Sequence, residues 1–369
     1  MQGRSIFYLV FSIIIILISS CKKRNSNGTQ AGVDSIRIVK QNLQHVWEIV
    51  WGPDDHIWFT ERDGKVSKMN PATGTIVFST TINEVVSSGE GGLLGLALHP
   101  DFLNNGFLYV VYNYTGVNAY SEKLVRYTFA NNALTNPTMI IDNIAASSIH
   151  NGSRIRVVNE NSGVKIYVST GDASNSSIAQ DVNSRNGKVL RLNADGSVPA
   201  DNPMAGNPLW SYGHRNPQGL VFVNNKLYAS EHGPNIEDEV NIIEKGRNYG
   251  WPNINGPCDG SELSFCTTNN VREPIWSSGG STIAVCGIDY YNKDKIAEWK
   301  NSILLTTLKD ASLRQLKLSA DGNSVVSTAI YFKDVYGRLR DICISPSGNV
   351  YICTSNGGNN DKIIEIPKL

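Results

Sequence analysis

The chain reads as an all-β protein, a six-bladed β-propeller of four-stranded antiparallel blades, on three observations. Helix-favouring runs are scarce, while Gly, Asn, Ser, Thr, Tyr and Val recur, a composition of strands and tight turns. A unit of strand, turn, strand and strand returns six times at a spacing of about 45 to 65 residues, the mark of a repeat that cannot bury both of its faces alone. A spare strand precedes the first unit and can complete the last blade. A two-sheet sandwich would accommodate the strands but would leave the repeat unexplained.

The elements follow in order. Residues 1–20, MQGRSIFYLVFSIIIILISS, carry Arg4 and then a largely apolar run from Ile6 to Ile18. That run is short for a membrane span and has the proportions of a signal peptide. With Cys21 the ending ISSC resembles a bacterial lipobox, which implies cleavage before Cys21 and lipidation of its thiol. The mature protein is then expected to be exported, to face the periplasm, and to touch the membrane only through its lipid. Lys22 in place of an aspartate favours the outer over the inner membrane. Residues 21–33 are polar and read as a flexible tether, leaving 34–369 as one propeller domain.

Within that domain DSIRIVKQ (34–41) is the spare strand. The six units begin in HVWEIVWGPDDHIWFTERDGKVSKMN (45–70), LLGLALHPDFLNNGFLYVVYNY (93–114), SRIRVVNENSGVKIYVSTGD (153–172), QGLVFVNNKLYASEHG (218–233), AVCGIDYYN (284–292) and RLRDICISPSGNVYICTSNG (338–357). Hydrophobic alternation with period two marks the strands, and Asp, Asn or Gly marks the turns. Insertions at 173–186 and 253–275 are expected on the face that carries the site. Export permits disulfides. Of the five cysteines after Cys21, Cys258 and Cys266 bracket a short loop and are the expected pair; the odd number leaves at least one free. No spacing suits zinc. A formal net charge of zero offers nothing to nucleic acid or to a membrane surface.

Four clusters sit at the edges of the repeats. HNGSRI places His150 just before an inner strand, and YGHRNPQGL places Arg215 and Asn216 likewise. SEHGPNIEDEVNIIEKGRNYGWP spans 230–252. LKD (308–310) and GRLRD (337–341) supply Lys309, Arg338 and Arg340, the two arginines on one side of a strand. Singly, each has an ordinary reading as a loop histidine, a solvated strand-edge charge or a polar turn. Jointly they offer an imidazole beside several cations, which suits a small polyanion held next to a base.

At these residues the chain resembles the pyrroloquinoline quinone-dependent soluble sugar dehydrogenases, including the aldose sugar dehydrogenases. The resemblance is carried by EGGLLGLALHPDF, GKVLRLNADGSVPADNP, GHRNPQGL, GPNIEDEVNII and GRNYGWPN, and runs from about Val46 to the C-terminus. It implies a six-bladed propeller that oxidises aldose sugars to lactones, with electrons leaving to an acceptor the sequence does not name. It implies His150 as general base, Arg215 polarising the quinone, and Asn216, Thr282, Lys309, Arg338 and Arg340 holding the cofactor. It also implies calcium: one ion on the backbone carbonyls of Gly233 and Pro234, and a structural ion on Glu239, Asp259 and the Tyr249 carbonyl. Glu90 and Trp276 are the expected sugar contacts, with a hydrogen bond to His150 as the other role open to Glu90. Glucose-oxidising members have an amide where this chain has Glu90 and an aspartate where it has Ile149, so sugar preference does not carry over. A calcium-dependent lactonase-type hydrolase and a non-catalytic binding propeller are the rival expectations.

Overall fold

A computed structural model describes residues 36–116 and 120–369; the signal segment, Cys21 and the tether lie outside the described residues. Six four-stranded antiparallel sheets make up the fold. From the axis outward the first blade runs Val46–Trp51, Ile57–Glu61, Lys65–Met69 and Ile76–Thr81. The inner strands of the others are Leu93–Leu98, Gly152–Glu160, Pro217–Val223, Val285–Tyr291 and Leu339–Ile344. Each inner strand packs on the next and the sixth returns to the first, so the sheets form a ring.

Local chemistry fixes the hairpins. Asn131-Asn132 and Asn224-Asn225 form two-residue loops in which both residues have positive φ, a conformation that asparagine tolerates and that matches strand twist. The outermost strands alternate buried and exposed, as in Ile76–Thr81, whereas middle strands such as Ile57–Glu61 are buried throughout. Apolar clusters fill the spaces between blades. Trp58, fully buried, meets Phe102 and Phe129 edge-on with centroids 5.6 and 4.8 Å apart. Truncating such a residue to alanine costs about 3–5 kcal/mol.

The spare strand closes the ring as expected. Arg37–Leu43 pairs antiparallel with Asp361–Ile366, the last strand of the chain. Arg37 binds Glu365 at 2.7 Å across that seam. Cys258 and Cys266 form a disulfide, and Cys286, Cys343 and Cys353 are free and buried.

The axis of the ring is charged and buried. The Arg154 guanidinium, on the third inner strand, reaches Glu48 at 2.7 Å and Asp341 at 3.0 Å, with all three side chains fully buried. Its guanidinium lies over the Trp47 ring at 4.2 Å. Arg156 joins the cluster through Glu48 at 3.2 Å. Two buried carboxylates in a low-dielectric space are tolerable only with such a partner between them. This cluster plugs the channel and separates its two ends. Among the described residues no helix is long and apolar enough to cross a membrane.

Candidate active site

His150 stands at one mouth of the channel, where the third inner strand begins. Its backbone is left-handed (φ 60°), an uncommon state for a side-chain-bearing residue. Gly171 makes room for that turn: a Cβ there would sit 1.9 Å from the His150 carbonyl oxygen. The imidazole Nδ1 lies 2.9 Å from Asp172 Oδ1. Asp172 is itself 1% exposed. Its Oδ2 accepts from Trp251 Nε1 at 2.9 Å, and its Oδ1 also accepts from Ser174 N at 2.9 Å. An ionised carboxylate only accepts, so Nδ1 carries the ring proton and Nε2 keeps its lone pair for an outside proton. Glu90 touches this histidine differently from expectation: its carboxylate lies 3.4 Å from the backbone N–H of His150 and leaves the ring to Asp172.

Cations surround the same mouth. Arg340 is nearly buried and donates to Gln218 Oε1 at 2.9 Å and to the Cys286 sulfur at 3.2 Å. Arg338 is exposed beside it. Lys309 Nζ donates to Thr282 Oγ1 at 3.0 Å, which brings those two expected cofactor contacts together. Arg215 lies over the Trp251 ring at 5.3 Å, held by its backbone N–H to Glu231. Asn216 is buried, and its side-chain oxygen accepts from Gly152 N at 3.1 Å, tying the start of one inner strand to the next.

Sequence reasoning missed a further member, Arg62. It follows the second strand of the first blade, donates to Gly89 O at 2.6 Å, and keeps a buried Nε without a partner. Burial and then Arg340 push the Arg62 guanidinium below its ordinary range, and the same two causes act on Arg338. Arg215 is lowered chiefly by burial. The Glu90 charge opposes the shift in all three, which places that carboxylate among the cations. Cations crowded until they repel one another are a receptor for negative charge.

The family profile of glucose/sorbosone dehydrogenases matches residues 43–364. The chain is 30% identical to quinoprotein glucose dehydrogenase B of Acinetobacter calcoaceticus, over 88% of this chain and 86% of that protein. The chain belongs to the glucose/sorbosone dehydrogenase family. Aldose sugar dehydrogenase YliI of Escherichia coli is 29% identical over 87% of this chain and 90% of that protein. The PQQ-bound aldose sugar dehydrogenase of Streptomyces coelicolor superposes with a TM-score of 0.76 at 28% identity, covering 90% of this chain and 97% of that one. The pyranose dehydrogenase PQQ domain of Coprinopsis cinerea, 11% identical at a TM-score of 0.65, shares the fold.

In this family member Gly233 and Pro234 of the first expected calcium set share one small space with Glu239 and Tyr249 of the second. A cavity of about 20 Å³ is lined by Gly233, Pro234, Glu231, Glu237, Glu239, Tyr249 and Asn255, with Arg215 at its edge. That volume suits a single water or ion. Burial, and then the Glu231 charge, push the Glu239 carboxyl up to about 8. Asn255 Oδ1 is buried and without a hydrogen-bond partner. Crowded carboxylates and an orphaned amide oxygen are hard donors that a calcium ion would satisfy, so the residues present fit the ion. The loop is clamped by Asp238, which accepts from Gly233 N at 2.9 Å and from Ile283 N and Ala284 N at 2.6 and 2.7 Å. The Tyr249 hydroxyl is engaged with Ile242 O at 2.5 Å and its backbone N–H with Tyr212 O at 2.9 Å, so only its carbonyl could serve an ion.

Two expected residues sit apart. Asp259 is exposed in the disulfide loop, and among the described residues no hydrogen bond joins it to Glu239 or Tyr249. Trp276 belongs to the outermost strand of the fourth blade and packs on the interblade core beside Val240. The first insertion is tied to the turn that precedes the second: Gln180 donates to Asn248 Oδ1 at 3.0 Å and to Trp251 O at 2.7 Å, and the Trp251 ring in turn meets Asp172.

Proposed function

We propose that this protein oxidises aldose sugars at the anomeric carbon to lactones, using pyrroloquinoline quinone and calcium. The observation that carries the reading is the pairing of an oriented imidazole with a cluster of mutually repelling cations. Arg338, Arg340 and Lys309, joined by Arg62, hold carboxylates of the cofactor through charge-assisted hydrogen bonds. Thr282 and Asn216 orient it, and Gly233 and Pro234 offer carbonyls to an ion seated with Glu239 and Asn255. When bound, the quinone supplies the acceptor for the hydride that leaves the sugar C1.

His150 Nε2 takes the proton of the anomeric hydroxyl. Asp172 stabilises the imidazolium that results and keeps the ring in the one tautomer that can accept. Arg215, stacked on Trp251, faces developing negative charge on the acceptor side. Glu90 offers oxygens to sugar hydroxyls. A hydrolase of the lactonase type would need free carboxylates along the axis, and there Glu48 and Asp341 are bound to Arg154.

The same reading extends to location. The protein is a lipoprotein anchored through Cys21, facing the periplasm, with the outer membrane favoured, and it passes electrons to an external acceptor. Purified protein given calcium, the quinone and a panel of aldoses is expected to reduce an artificial dye only when both additions are present. His150→Ala is expected to abolish turnover while leaving quinone affinity intact. Unchanged turnover would remove His150 as the base, and failure of the wild type to bind quinone would sink the dehydrogenase reading.

A further inference from the structure

The channel has a second end, and the chemistry above does not use it. Beyond the Glu48–Arg154–Asp341 plug lies a chamber of about 470 Å³. It is built from the C-terminal halves of the inner strands, around Trp51, Leu98, Arg156, Asp289 and Ile342. From His150 to the Arg156–Val157 level is roughly 20 Å at about 3.3 Å of strand rise per residue. With the plug fully buried and Trp47 2% exposed, the chamber is closed off from the His150 mouth. Its size falls in the range of small-molecule sites, about 300–1,000 Å³.

Apolar side chains share the wall with a few polar ones, Asp55, His99, Arg156 and Asp289 among them. Asp289 Oδ1 accepts from the Tyr290 N–H at 2.8 Å, and among the described residues no cation forms an ion pair with this carboxylate. Arg156 is the cation nearest in function, yet it is bonded to Glu48 at 3.2 Å and to Ile155 O at 2.8 Å. Trp51 is the second group. Its indole stacks at a tilt on Tyr351, 5.6 Å between centroids, and its N–H is sealed from solvent with no hydrogen-bond partner. Negative charge is in excess here. Asp55 and Asp289 line the chamber and Asp341 and Glu48 stand behind it, against Arg154 and Arg156, which the plug already holds.

We propose that this chamber binds a small organic cation, its ammonium against Asp289 and its apolar or aromatic body along the Trp51 wall. A carboxylate without an ion-pair partner, in a site where carboxylates outnumber guanidiniums, is completed by a cation, and an indole face adds attraction for one. A neutral polyol would leave the carboxylate uncompensated and gain little from the apolar walls. The groups that set the Asp289 charge are Arg156, which favours ionisation, Asp341, which opposes it, and the backbone amides of Tyr290 and Ile344. Burial is the largest influence and pushes its carboxyl up to about 6. Cys343 lies in the same wall, and burial holds its thiol far above the usual range, so it adds no charge. His99 is lowered by burial and is neutral at pH 7.5.

The test uses the holoenzyme, loaded with quinone and calcium, and calorimetric titration at pH 7.5. The probe is N,N-dimethylphenethylamine, a tertiary ammonium that cannot condense with a quinone; 2-phenylethanol is its neutral counterpart. Saturable binding at one site is expected, about 10- to 100-fold tighter for the ammonium. Asp289→Asn is expected to remove that preference while reducing dye as the wild type does and melting no lower, since Asp289 lies far from His150. A carboxylate is ionised above its pKa, so affinity should fall about tenfold between pH 7.5 and pH 5 in the wild type. Equal binding of amine and alcohol, absence of saturable binding, or indifference to Asp289→Asn would overturn the proposal. If that variant does not fold, a wild-type affinity that stays constant down to pH 5 overturns it instead.

Discussion

Replacing Asp172 by asparagine changes one atom and should disable the base. Three N–H donors converge on this carboxylate: the His150 ring at 2.9 Å, Trp251 Nε1 at 2.9 Å and Ser174 N at 2.9 Å. An amide has one accepting oxygen and one donating nitrogen. If the nitrogen faces Trp251, two donors meet in a buried site, at a cost of about 1–3 kcal/mol. If it faces His150, Nδ1 must become the acceptor, and the proton moves to Nε2, where the sugar proton was to go. Loss of a correctly oriented general base lowers turnover by about 10²–10⁴-fold, or roughly 3–5 kcal/mol of barrier. Asp172 acts through His150, so the signature is a fall in kcat with the sugar KM and the quinone affinity nearly unchanged. Steady-state dye reduction gives the first two quantities, and quenching of tryptophan fluorescence by added quinone gives the third. A kcat within a factor of a few of the wild type would refute the reasoning. A fall confined to quinone affinity would recast Asp172 as part of the binding wall.

Other perturbations probe the remaining parts. Arg340→Lys keeps the charge but loses the planar fork that meets Gln218 and Cys286, and should weaken quinone binding about 10- to 100-fold in a direct titration; unaltered affinity would remove Arg340 from the cofactor cradle. Chelating calcium should lower the melting temperature of the wild type, by the equivalent of about 2.7 kcal/mol where the ion stands at a hundred times its Kd, and leave Glu239→Gln almost unmoved. Equal responses in the two proteins would place the ion elsewhere. Glu122 is buried against Ser153, and burial pushes its carboxyl up to about 8. Between its ordinary value and 8 the folded state therefore holds a proton that the unfolded state has released, so stability falls as pH rises through that window. Glu122→Gln should remove up to roughly 3 kcal/mol of that penalty at pH 7. Melting curves from pH 5 to 8 that run parallel for the two proteins would contradict it.

Much of the ring was legible because two-sided burial imposes a pattern. Inner and middle strands such as Val46–Trp51 and Ile57–Glu61 must be apolar on both faces or strictly alternating, and their turns need Asn, Asp or Gly. The outer strands were less visible for the converse reason. Val325–Tyr331 is mostly open to solvent, and Trp276–Ser277 is two residues long after an extended insertion, so neither carries a strong signal. Within the site, the residues named in advance were those embedded in long motifs. Asp172, Arg62 and Asn255 were not, because STGD and TER read as strand ends and NING as a turn. Their roles come from who stands opposite, which a single chain does not display. The axial plug was hidden likewise: Glu48, Arg154 and Asp341 look like solvent-facing alternation until the ring turns that side inward.

The seam between Arg37–Leu43 and Asp361–Ile366 has a consequence for how the molecule comes into being. These are the first and last strands of the domain, and Arg37 and Glu365 meet only across the whole length between them. While the chain is being made, five blades can stack in an open arc, each with its own hairpins formed from local contacts. The sixth stays three-stranded until the earliest strand returns to it. Up to that moment the arc has two raw edges, each able to pair with another copy. Completion is thus an all-or-none event that waits on the final residues, and a chain stopped a few residues short would be an open ribbon rather than a slightly smaller propeller.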